Sequence, residues 1–201
     1  MRRSILMIAG VVLLCGVVSA MAQESRSEIS LRGTGLFTKD TSGRGTTQRA
    51  TETGGFLVGY RYSLTRWLAA EAVYGYDRNT QRYFGSGALA RVQANVHQVT
   101  SGFVVRVPTV FKLSPYLLAE GGALVFDPTG NRFGTVSGTS SNAAGVFAYG
   151  GGADFGVNKH VILRAEYRGL VYNAPDFGVR ALNTNTVTHT AQPSAGIVFR
   201  F

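Results

Sequence analysis

Apolar and polar residues alternate along positions 161–172. Val161, Leu163, Ala165, Tyr167, Gly169 and Val171 share one parity, and Arg164, Glu166 and Arg168 the other. A period of two is the signature of a β-strand whose faces meet different surroundings. The same reading predicts eight strands, at Glu28–Phe37, Gly54–Ser63, Trp67–Asp77, Val96–Val107, Pro115–Phe126, Gly145–Val157, Val161–Tyr172 and Val187–Phe201. Each covers 10 to 15 residues. Strands of soluble sheets usually run about 5 to 6 residues, whereas a tilted membrane-crossing strand needs about 9 to 11.

The connections alternate in length. Leu64–Arg66, Pro108–Ser114 and Asn158–His160 are short. The stretches Thr38–Thr53, Arg78–Asn95, Asp127–Ala144 and Asn173–Thr186 are long and rich in Gly, Ser, Thr and Asn, and are predicted to be flexible surface loops. Short turns at one end and long loops at the other are the outer-membrane barrel pattern, and an even strand number puts both chain ends on the short-turn side. The parity of the charges sets the faces. Arg32, Arg61, Arg106, Arg164, Arg168 and Arg200 fall on one side, together with Glu28, Glu71, Glu120, Asp154 and Glu166; Asp77 shares that face of its strand. The opposite side is apolar, with Tyr60, Tyr62, Phe199 and Phe201 expected near the periplasmic rim and Tyr74 and Tyr76 near the outer rim. A lipocalin-like soluble barrel would need the charged side outside, yet only Lys39, Lys112 and Lys159 supply lysine after the N-terminal segment. The fold class expected is therefore all-β, an eight-stranded antiparallel up-and-down transmembrane β-barrel.

Composition agrees. Among 201 residues 26 are Gly and 15% are charged, which disfavours both a helix bundle and a disordered chain. Arg2 and Arg3, the apolar run Ile5–Val18 and Ala20-Met21-Ala22 read as a secretory signal peptide over residues 1–22, leaving 23–201 as one barrel domain. Cys15, the single cysteine, lies inside that signal. Its removal lowers the formal charge from +9 to +7. A basic chain suggests nucleic acid, but export argues for anionic headgroups or lipopolysaccharide instead.

Four segments carry a resemblance: Gly55-Phe56-Leu57-Val58-Gly59-Tyr60-Arg61, Trp67-Leu68-Ala69-Ala70-Glu71-Ala72, Pro115-Tyr116-Leu117-Leu118-Ala119-Glu120-Gly121-Gly122 and Arg164-Ala165-Glu166-Tyr167-Arg168. With them the chain resembles the small OmpA-like outer-membrane β-barrel domain family, over nearly all of residues 23–201. The ending Gly196-Ile197-Val198-Phe199-Arg200-Phe201 resembles the C-terminal signature that barrel-insertion machinery recognises, with Ile197, Phe199 and Phe201 as its apolar positions. The motifs imply a fold more than an activity.

Three function classes follow: a structural or surface-interaction barrel, a narrow pore, and a lipid A-modifying enzyme. An eight-stranded barrel is just wide enough for side chains to fill it, which favours the first. The inward charges, six basic against five acidic, are expected to form ion pairs that plug the lumen. Catalysis is poorly supported. Of His97, His160 and His189, the last would need Ser two residues on for the deacylase pattern, but position 191 is Ala. No spacing suggests a metal or a cofactor. Pro193 within the last strand is expected to mark a bulge or the rim. Arg78, Arg82 and Arg91, in a predicted loop without acids, are the candidate lipopolysaccharide contact. The expected partners are outer-membrane lipids, lipopolysaccharide and the insertion machinery, with the protein a monomer that binds no nucleic acid.

Overall fold

The computed structural model describes residues 26–39, 41–43, 46–50, 53–85, 88–109, 111–129, 141–173 and 186–201. Residues 1–22, read above as a signal peptide, and most of the predicted loops over 127–144 and 173–186 lie outside the described residues. Ten strands follow in order: β1 (Ser27–Thr38), β2 (Thr41–Gly43), β3 (Thr46–Ala50), β4 (Thr53–Ser63), β5 (Leu68–Gly85), β6 (Ala88–Arg106), β7 (Leu113–Pro128), β8 (Asn142–Gly156), β9 (Val161–Asn173) and β10 (Val187–Arg200). Among the described residues there is no helix.

Eight of these strands close into an antiparallel barrel. The order is β5-β4-β1-β10-β9-β8-β7-β6, and β6 returns to β5. Closure leaves no sheet edge to be satisfied by water, which the bilayer cannot supply. The first and last barrel strands, β1 and β10, pair Glu28 with Arg200 and Ile29 with Phe199. Ser27 and Phe201 exchange backbone hydrogen bonds at 2.9 and 3.2 Å.

The short turns are held by side chains that accept from the backbone. Thr65 Oγ1 accepts from the amides of Trp67 and Leu68 at 3.2 and 3.0 Å. Asn158 Oδ1 accepts from His160 and Val161 at 2.9 and 2.7 Å. Small hydroxyl and amide side chains suit such turns because they supply the acceptor the reversing backbone lacks.

Three expectations need correction. The stretch 78–95 is not a loop: β5 and β6 continue in unbroken register to Gly85↔Ala88. In the stretch 38–53, β2 and β3 form a small hairpin, and β3 pairs with β5 from Thr47↔Phe84 to Ala50↔Gln81. Gly and Ser suggested loops, but Thr, Tyr, Val and Gln in these stretches favour extended backbone. Pro193 marks no bulge either. β10 pairs with β9 without a break from Val187↔Asn173 to Phe199↔Val161. On the other side, the pairing with β1 keeps one register and skips only Gly35 and Leu36, so the missing amide of Pro193 costs a ladder bond without shifting the strand.

Burial follows the alternation. Leu31, Val99, Phe103, Leu117, Phe147, Leu163 and Phe199 are exposed on the outer surface, while Arg32, Arg61, Glu71, Arg164, Glu166 and Arg168 are buried inside. An exterior of exposed apolar residues around a charged interior is the inverse of a water-soluble protein and the arrangement for lipid surroundings.

Candidate functional site in the barrel lumen

The lumen has two zones. The periplasmic half is ionic. Glu28, from the start of β1, faces three guanidinium groups. Arg164 Nη2 donates to its Oε2 at 3.0 Å, and Arg106 Nη2 and Arg200 Nη2 donate to Oε1 at 3.1 and 2.8 Å. Asp154 holds Arg164 in a two-point bond, with Nε and Nη2 at 2.6 and 2.7 Å. These two strands are neighbours, and the register sets Asp154 opposite Arg164.

A second layer lies above. Arg61 donates to Glu71 Oε2 from Nη2 and Nε at 2.7 and 3.1 Å, again across one register pair. Glu166 Oε1 accepts from Arg168 Nε at 2.5 Å and from Arg32 Nη1. Arg168 also donates to Glu120 at 2.8 and 3.3 Å. Arg32, Arg164 and Arg168 further approach Glu71 Oε1 at 3.6 to 3.8 Å. The eleven inward charges singled out from the sequence are thus brought together, Arg106 and Arg200 being the part-exposed ones at the mouth.

Tyr116 belongs to this layer although parity of charge alone did not single it out. Its hydroxyl donates to Glu166 Oε2 at 2.6 Å, and the Arg61 guanidinium stacks 4.3 Å above its ring. Gly152 makes the space, because a Cβ there would stand 2.5 Å from the Tyr116 hydroxyl. The available signal was an aromatic residue on the polar face of β7, opposite Gly152 in the register.

The outer half of the lumen is mainly apolar. Val96, Leu124, Phe126, Val146, Leu170 and Tyr172 pack together, with the rings of Phe126 and Tyr172 5.9 Å apart. Between the zones Gln192 Nε2 donates to Gln98 Oε1 at 2.9 Å. Asp77 is buried in the outer zone beside Asn79 and Thr190 and raises the inward acids from five to six, equal to the six arginines.

On the outside, His97 Nδ1 bonds the Tyr74 hydroxyl and His189 Nε2 the Tyr149 hydroxyl, both at 2.9 Å. His160 sits in the β8–β9 turn with Nδ1 3.2 Å from the Arg200 carbonyl. Ile197 and Phe199 are exposed on the outer face of β10. Arg78 is exposed near the outer end of β5 and donates from Nε to Asn95 at 2.9 Å. Arg82 and Arg91 are strand positions paired with each other.

The family model for the outer membrane protein beta-barrel domain matches residues 8–201. The chain belongs to that family. As an outer membrane protein beta-barrel domain it is placed in the outer membrane, and its solved neighbours share the closed fold. Ail, the attachment invasion locus protein of Yersinia pestis, is 20% identical with a TM-score of 0.51, over 89% of this chain and 100% of that one. OprG from Pseudomonas aeruginosa is 15% identical with a TM-score of 0.55, over 88% and 96%. Neisserial surface protein A is 14% identical with a TM-score of 0.53, over 87% and 97%. Comparison with curated protein sequences gives no match.

Proposed function

We propose that this barrel is a non-enzymatic, monomeric outer-membrane protein that is closed to ions and acts through its surface. The observation that carries the reading is the lumen itself: Arg32, Arg61, Arg164 and Arg168 are buried among paired carboxylates, and an apolar cluster lies above them. Equal numbers of inward cations and anions supply no ring of one sign to select an ion. Purified protein in a planar bilayer tests it: the expected result is no steady conductance, and a large stable one would establish a pore.

The surface role rests on the outer hairpins. Arg82 of β5 stands directly opposite Arg91 of β6 on one side and Arg49 of β3 on the other. Like charges in adjacent register repel, and phosphate groups relieve that repulsion through paired guanidinium bonds. Lipopolysaccharide phosphates are the fitting partner for this row, which lies in register beyond the level of Tyr74, Tyr76 and His97. A solved structure of Ail holds the heparin analogue sucrose octasulfate, also a polyanion. Residues 1–22 serve as a cleaved export signal in this reading, and Ile197, Phe199 and Phe201 as the insertion signal.

A further inference from the structure

The periplasmic end of the lumen opens into a chamber of about 620 Å³ beside the β4–β5 turn, lined by Arg26, Arg66, Arg106 and Arg200. A second space of about 500 Å³ shares Ser114, Asp154 and Arg200 with it and adds Lys112 and Lys159. Among the described residues Asp154 is the one acid lining either space, and both its oxygens are taken by Arg164. Glu28, just inside, already meets three arginines. Among the described residues, the charge these walls present to the periplasm is therefore net positive.

A concave, low-dielectric site of one sign concentrates counter-ions, and guanidinium forks favour planar oxyanions. The setting selects among them. Arg106, Ser114 and Arg200 lie on the lumen side of their strands, whereas the lipid-facing flank at this level carries Tyr62 and Phe199. The ligand thus arrives from the aqueous periplasm. Its volume suits an oligopeptide-sized molecule. Trp67 and Val107 add exposed apolar wall, with the Arg66 guanidinium 5.3 Å over the Trp67 ring.

We propose that this mouth is a binding site for a carboxylate-rich peptide of the periplasm. Neither the lumen plug nor the outer arginine row is needed for it. Trp67 is the single tryptophan of the chain, so its fluorescence reports occupancy of the chamber directly. Residues 23–201, refolded in zwitterionic micelles, are titrated with tetraglutamate at low salt. The expected result is a saturable change in emission whose affinity falls as salt rises. Arg26→Gln combined with Arg66→Gln, two exposed residues outside the ion-pair network, should weaken binding about tenfold while the heat-dependent gel shift stays normal.

Absence of a saturable change, an equal response to tetraglutamine, or unchanged affinity in the double variant would overturn the proposal. Inorganic phosphate binding as tightly as the peptide would reduce the site to a simple anion trap. Micelles doped with phosphatidylglycerol that reproduce the emission change and block the peptide would assign the site to lipid headgroups instead.

Discussion

Removing the Glu166 carboxylate strands a buried cation, and the geometry says which one. Arg168 keeps Glu120 at 2.8 Å, whereas Arg32 is left with Glu71 at 3.6 Å. Glu166→Gln should therefore destabilise the barrel by about 3 kcal/mol or more, and Glu166→Gln with Arg32→Met by less than the single change. Urea unfolding in micelles checks the order of the two. Such partners were hidden in the sequence: parity puts Arg32 and Glu166 inside, but they lie 134 residues apart and only the closed barrel brings them together. The same holds for Tyr116, whose role depends on the space above Gly152. A different residue carries strain. Phe111, in the β6–β7 connection, has a φ of 56° and is fully exposed. A side chain in the left-handed region costs about 1 kcal/mol, so Phe111→Gly should stabilise by about that amount in the same assay.

The β5–β6 hairpin reaches well past the level of the outer aromatic residues, and this element was the least legible. Residues 78–82 are all polar and Tyr83 adjoins Phe84, so the stretch lacks the two-residue alternation that marks a strand and looks like a loop. The membrane-level strands were legible because lipid on one side and packed charges on the other enforce strict parity. Above the bilayer both faces meet water and that constraint lapses. The hairpin places Arg49, Arg82 and Arg91 in one row. Changing all three to Gln should weaken lipopolysaccharide retention, with the loss larger at low salt, as measured by co-purifying lipid phosphate. No change at any ionic strength would reject the contact. At the opposite end of the barrel, Phe201 follows β10 and is tied to Ser27 through two backbone bonds. Deleting Phe201 removes these bonds and the terminal aromatic, so insertion should slow and periplasmic degradation rise. Pulse-labelled fractions read out both.

At the scale of the whole molecule, the two lumen zones close the barrel in series, by different physics. The periplasmic layer resists ions because moving them would break buried ion pairs. The outer layer resists them because the packed side chains of Val96, Leu124, Phe126, Leu170 and Tyr172 offer an ion no hydration. Two barriers in series give a non-additive expectation. Arg32→Ser with Glu166→Ser removes one cation and one anion, preserves the charge balance and opens space in the lower layer only. The barrel should lose stability yet stay non-conducting. Phe126→Ala with Tyr172→Ala opens the upper layer only and should also stay closed. The fourfold variant should conduct steadily and, since the inward charges still cancel, without strong preference for cations or anions. Single-channel recordings of the three variants and the parent provide the comparison. Conductance in the first variant would mean that the apolar layer is no barrier, and silence in the fourfold variant would mean that neither layer sets the closure.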